Sequence, residues 1–104
     1  MMTHEKLTSI LDTLSIPWAD LVFDKKQKPP YAIIRMSDTS NIFDDFGEVS
    51  IIQEPPVMEL YYRKTSDRKR FETALKEAKA IWQRYGSDTY LDSESLFFSR
   101  YDFE

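Results

Sequence analysis

Cysteine is absent from this chain, glycine occurs only twice and histidine once. Without thiols, disulfides and thiolate metal sites are excluded, and a cytosolic origin is the natural reading. With glycine confined to Gly47 and Gly86, the chain has no glycine-rich loop to cradle a phosphate. His4 stands near the start of the chain with no orienting partner in the sequence around it. It reads as a solvated helix residue and not as a general base. No apolar run approaches the roughly 20 residues that cross a bilayer. Met1-Met2-Thr3-His4-Glu5-Lys6 also lacks the charged-then-apolar layout of a signal peptide. The formal net charge of −4 argues against a general nucleic-acid binder, whose affinity comes from neutralising phosphates.

What is present is enough apolar side chain for one core. The chain has 104 residues, 41% of them hydrophobic and 14% aromatic, so residues 1–104 are expected to form one domain. Charge is unevenly placed. Lys25, Lys26 and Lys28 make one basic stretch, and Arg68, Lys69, Arg70, Lys76, Lys79 and Arg84 make another. Asp38, Asp44, Asp45, Glu48 and Glu54 lie between them, and Asp88, Asp92, Glu94, Asp102 and Glu104 follow. Opposite patches of this kind can pair between neighbours in a symmetric ring, or simply be solvated surface.

Leu7, Ile10, Leu11 and Leu14 recur at helical spacing, which predicts a short helix from Thr3 to Leu14, capped by Thr3 and ended by Pro17. Strands are expected over Trp18–Phe23, Tyr31–Met36, Glu48–Glu54 and Val57–Arg63, the last with Met58, Leu60 and Tyr62 on one face. Asp38 to Gly47 reads as a polar loop with Ile42, Phe43 and Phe46 interspersed, suited to ordering against a partner. Pro55-Pro56 reads as an edge kink or bulge between strand pieces, because prolines remove two ladder donors.

A long helix is expected from Asp67 to Tyr85. Phe71, Ala74, Leu75, Ala78, Ile81, Trp82 and Tyr85 fall on one stripe, with Phe71, Leu75, Ala78 and Trp82 as its core contacts. Ser66 is its expected N-cap, Gly86 its stop, and Glu72–Lys76 an ion pair on its wet face. Thr89–Leu91 and Leu96–Phe103 complete the pattern as strands. The expected fold class is α+β: a mostly antiparallel sheet packed against one short N-terminal helix and one long helix.

Candidate chemistry is sparse. Asp44 and Asp45, with Asp38 and Glu48 nearby, lack the alternating ligand spacing of a calcium loop and read as a charged loop. The basic helix face is interrupted by Glu72 and Glu77, and its aromatics lie on the apolar stripe, so it reads as solvated. No catalytic, cofactor-binding or metal-binding residue is assigned, no cofactor is expected, and the chain is not expected to be an enzyme.

In order, the chain presents a short helix, Pro29-Pro30-Tyr31 opening a strand, an acidic Asn41-to-Gly47 turn, Met58-Glu59-Leu60-Tyr61, a helix, and a closing Tyr101-Asp102-Phe103-Glu104. This resembles the tail-completion or tail-terminator proteins of long-tailed phages, those of Gram-positive hosts above all. The resemblance implies a non-enzymatic virion protein at the neck, assembled in the host cytoplasm. In that family six copies form a homo-oligomeric ring that caps the tail tube and docks to the head connector. DNA passes through the lumen without specific binding, and no membrane is involved. It further implies that Ile42, Phe43, Asp44, Asp45, Phe46 and Glu48, with Pro55 and Pro56, contact neighbouring subunits or the tail tube. Some of Asp38, Asp44, Asp45 and Glu48 are expected to face the lumen or tube. Gln53-Glu54-Pro55-Pro56 departs from the unbroken strand expected there. The alternatives are a head-completion or stopper protein of the same interface, or a small non-viral interaction or inhibitor module.

Overall fold

The computed structural model describes residues 2–35, 40–43, 49–52, 55–91 and 95–104. The first element, α1 (His4–Thr13), starts where Thr3 takes an extended conformation and its hydroxyl accepts the Lys6 amide at 3.1 Å. It ends in a hydrogen-bonded cap: Ser15 adopts φ 58°, its amide reaching the Asp12 carbonyl and the Ile16 amide the Leu11 carbonyl. Leu7 and Leu11 are fully buried, as is Ile16 just past the cap.

Strand β1 (Trp18–Asp20) is shorter than expected, because Leu21 turns the backbone to φ 66°. It pairs in parallel with β2 (Tyr31–Arg35), Trp18 facing Ala32. A parallel pair forces the connecting segment to cross back over the sheet. Residues 21–30 make that crossing without a helix, and Phe23 sets its ring edge against Tyr31.

The chain then enters β3 (Ser40–Phe43) and β4 (Val49–Ile52), an antiparallel pair that forms its own two-stranded sheet. Residues 40–43 are therefore strand and not loop. The β-branched and aromatic Ile42 and Phe43 have ladder partners, Ser50 and Val49. Strand β5 (Val57–Tyr62) returns antiparallel to β2, with Arg35 opposite Val57. Stepping both strands outward from that pair by equal numbers of residues arrives at Ser40 opposite Ile52. The two ladders thus have the same register count, while β3–β4 remains a sheet of its own. Pro55 and Pro56 sit at the junction between the ladders. Pro56 is fully buried there, so it belongs to the interior and not to the contact surface expected of it.

Helix α2 (Thr65–Glu77) follows, then β6 (Trp82–Leu91) and β7 (Leu96–Phe103). The helix is much shorter than the sequence pattern indicated. Ala78 caps it and is exposed. Lys79 takes φ 56°, its amide bonding the Lys76 carbonyl while the Ala80 amide bonds that of Leu75. Trp82 to Tyr85 then pair with Phe103 to Arg100. The stripe through Trp82 and Tyr85 also fits strand alternation, and a partner strand further along the chain decides between the two. The start differs as well: Lys64, and not Ser66, is the N-cap, and it makes no side-chain capping bond.

The main sheet has the order β1-β2-β5-β7-β6, with β1–β2 parallel and the remaining pairs antiparallel. The expected fold class is corrected accordingly. The sheet is mixed, a separate two-stranded ladder stands beside it, and both helices are short, at 10 and 13 residues. Leu7 and Leu11 of α1 and Phe71 and Leu75 of α2 join Ala32, Ile34, Met58, Leu60, Tyr62, Tyr101 and Phe103 in one core. Burying each large side chain is worth about 1.5–3 kcal/mol, which fixes both helices to this face. Tyr62 and Ser99, inside the core, satisfy each other's hydroxyls at 2.9 Å.

Candidate interaction surfaces

Three groups of residues stand out. The first is the β3–β4 arm. Among the described residues, β3 and β4 pack on each other and on no helix or main-sheet strand to a comparable extent. The molecule is correspondingly long, at 53 × 30 × 25 Å. Its radius of gyration of 15.6 Å exceeds the roughly 13 Å of a compact chain this size. A two-stranded ladder standing alone is marginally stable in water, and this one carries Ile42, Phe43, Val49, Ile51 and Ile52. Ile42 and Phe43 of the expected interface lie on this arm. Asp44, Asp45, Phe46 and Glu48, with Asp38, lie outside the described residues.

The second is the sheet face away from the helices. Strand alternation places Tyr31, Ile33 and Arg35, then Val57, Glu59 and Tyr61, then Phe98, Arg100 and Asp102 on it. Among the described residues no helix covers this face. Register turns these residues into rows. Tyr31, Tyr61 and Phe98 stack across three strands at centroid separations of 4.9 and 5.8 Å. Arg35 donates to Glu59 at 3.0 Å, and the Tyr61 hydroxyl donates to the same carboxylate at 2.6 Å. Arg100 donates to Asp102 at 3.1 Å and lies over the Tyr85 ring, 5.4 Å from its centroid. Partial burial, then the hydrogen bond and charge of Glu59, push the Tyr61 phenol well above its ordinary value. The crossing segment borders the row, where Phe23, Lys25, Lys26, Tyr31, Ile33 and Arg63 line a common groove.

The third lies between α2 and the sheet. Glu72 was expected to pair with Lys76. It turns instead to the interior, accepting from Arg68 at 2.7 and 3.0 Å and from the Tyr101 hydroxyl at 3.1 Å, with Arg84 at 3.2 Å. The Arg68 side chain is only 11% exposed, so this part of the basic helix surface is not a solvated face. Burial, then the Glu72 charge and hydrogen bond, hold the Tyr101 phenol far above its usual range. The network joins helix to strands and reads as structural. His4 is likewise engaged: Nε2 lies 2.7 Å from Asp20 Oδ1 and the ring meets Trp18 edge-on.

An open cleft of about 700 Å³ separates the start of α1 from the end of α2. Its lining includes Glu5, Lys6, Ser9, Lys79, Ile81 and Glu104. Among the described residues no cluster of histidine and carboxylates could hold a metal, and no helix is long and apolar enough to cross a membrane. The open-face aromatic row escaped the sequence pattern because its members come from three strands that only register aligns. No protein-family model matches this chain, and no characterised protein is detectably similar to it in sequence.

Proposed function

We propose that this chain is a non-enzymatic ring subunit of a phage neck, a tail terminator. Copies associate around the DNA path, cap the tail tube and meet the head connector, within a virion assembled in the host cytoplasm. The observation that carries this reading is the arm: among the described residues, β3–β4 forms a two-stranded sheet of its own and packs on no helix or main-sheet strand to an extent comparable with its own pairing. A subunit built this way has one compact half and one half that becomes useful only against a neighbour. The order of motifs from Pro29-Pro30-Tyr31 to Tyr101-Asp102-Phe103-Glu104 supplies the resemblance to terminators, and the uncovered aromatic sheet face supplies a second surface.

The test is the mass of the purified protein by light scattering, with negative-stain images before and after adding tail tubes from a long-tailed phage. Closed rings, free or seated on tube ends, are the expected result. Rings that ignore tubes but bind head connectors move the assignment to a stopper. A protein that stays monomeric with both removes it from the neck.

A further inference from the structure

By sequence pattern the basic residues of α2 stand apart from any exposed aromatic, because Trp82 falls on the buried stripe of a longer helix. The structure changes that premise. With α2 ended at Glu77 and capped at Ala78, Trp82 becomes the first residue of β6. There it lines a groove of about 590 Å³ together with Lys69, Thr73 and Lys76 of α2 and Lys79 of the cap. Lys69, Thr73 and Lys76 follow the i, i+4, i+7 spacing of one helix face, so the two lysines present charge along about 10 Å of groove. All three lysines are exposed, and among the described residues none of them forms an ion pair. The acid in the lining, Glu72, is already held by Arg68, Arg84 and the Tyr101 hydroxyl. Its charge is answered from within and leaves that of the lysines uncancelled. Lys79 adds an observation of its own. It holds φ 56°, where glycine would carry no Cβ penalty. A side chain kept at a backbone cost points to a use for that side chain.

We infer that this groove binds single-stranded nucleic acid, the lysines meeting successive phosphates while an unpaired base stacks on Trp82. Point charges strung along a groove beside an indole ring match a strand that alternates phosphate with flat base. An acidic peptide offers the charge without that regular alternation. The net charge of −4 belongs to the whole chain, whereas the groove is a place where cations are in excess. With only three phosphate contacts the binding is weak and salt-dependent. The inference uses neither half of the proposed function, self-association or the phage neck, and stands or falls apart from it.

The test titrates a labelled 12-nucleotide oligothymidylate with the full-length protein and reads anisotropy at several salt concentrations. Saturable binding is expected, log K falling against log salt with a slope of about −2, or about 0.7 for each lysine. Lys69→Gln with Lys76→Gln should weaken binding at least about tenfold at low salt and flatten the slope. Lys79→Gly should raise the thermal midpoint while lowering the affinity, a split that a merely structural lysine would not produce. In Trp18→Phe the remaining tryptophan is Trp82, and its fluorescence should be quenched as the strand saturates. The wild-type emission serves instead if that substitution unfolds the chain. Absence of saturable binding at low salt overturns the inference, as do lysine substitutions that leave affinity and slope unchanged, or fluorescence unmoved at saturation. A duplex of equal length that binds as tightly, or a polyglutamate peptide that displaces the strand on equal terms, would reduce the site to charge alone and overturn it too.

Discussion

The body and the arm are each built on an antiparallel strand pair, β2–β5 and β3–β4, yet their surroundings differ. In the body, β2 and β5 are flanked by β1 and β7 and covered by two helices, so Ala32, Ile34, Met58 and Leu60 lose nearly all contact with water. In the arm, β3 and β4 pair with each other, and among the described residues no third strand joins them and no helix packs on them to a comparable extent. Hydrogen-bonded register is therefore not what makes a sheet stable here. Lateral neighbours and a covered face are.

Substitutions in the two regions test that contrast. The largest effect is expected in the body, where Phe71→Ala empties a fully buried site against Tyr101 and should cost about 3–5 kcal/mol in denaturant unfolding. Alkaline pH should also act on the body. Tyr61 and Tyr101 have phenols raised above the ordinary value of 10.0, so their neutral forms favour the folded state. That contribution is complete below about pH 10 and is lost as pH rises beyond it toward the folded-state values. Unfolding midpoints followed from pH 8 upward, with phenolate absorbance as the second readout, should decline only past that point.

Glu72→Gln should cost about 1–3 kcal/mol, because Arg68 and Arg84 would keep their partial burial and lose the carboxylate between them. Replacing Lys79 by Gly should stabilise by about 0.5–1 kcal/mol, since glycine takes the φ of 56° without a Cβ penalty. The smallest effect is expected in the arm. Ile42→Ser should change the stability of the isolated chain by less than about 0.5 kcal/mol. A cost as large as that of Phe71→Ala would mean the arm is packed on the body after all. Hydrogen exchange should repeat the pattern, with the amides of β3 and β4 exchanging well before those of β5 and gaining protection on assembly.

How much of this was legible in the sequence depended on how far away the deciding partner sat. The α1 stripe of Leu7 and Leu11 and the β5 alternation of Met58, Leu60 and Tyr62 are local periodicities, and they read directly. Residues 78–85 did not. Their spacing suits a helix and a strand equally, and the pairing with Tyr101 and Phe103 is invisible to a local window. The helix stop also carried no glycine signal, since Lys79 and Ser15 both occupy left-handed caps, which turned attention to Gly86. The parallel β1–β2 pair was hidden because a crossing segment is normally longer and helical. At the surfaces, Ile42 and Phe43 could be picked out as apolar residues in a polar stretch. The aromatic row could not, because it exists only in three dimensions.

The shared register of arm and body has a mechanical consequence. The chain enters the arm from β2 and leaves it into β5, adjacent strands near the middle of the main sheet, like the shank of a rivet entering a plate. A load drawn along the arm pulls β2 and β5 together, in the same sense, past β1 on one side and β7 on the other. The bonds of those flanking ladders are then strained side by side and share the force, where a strand at the margin would peel away one bond at a time. Whatever grips the arm therefore pulls against the whole sheet.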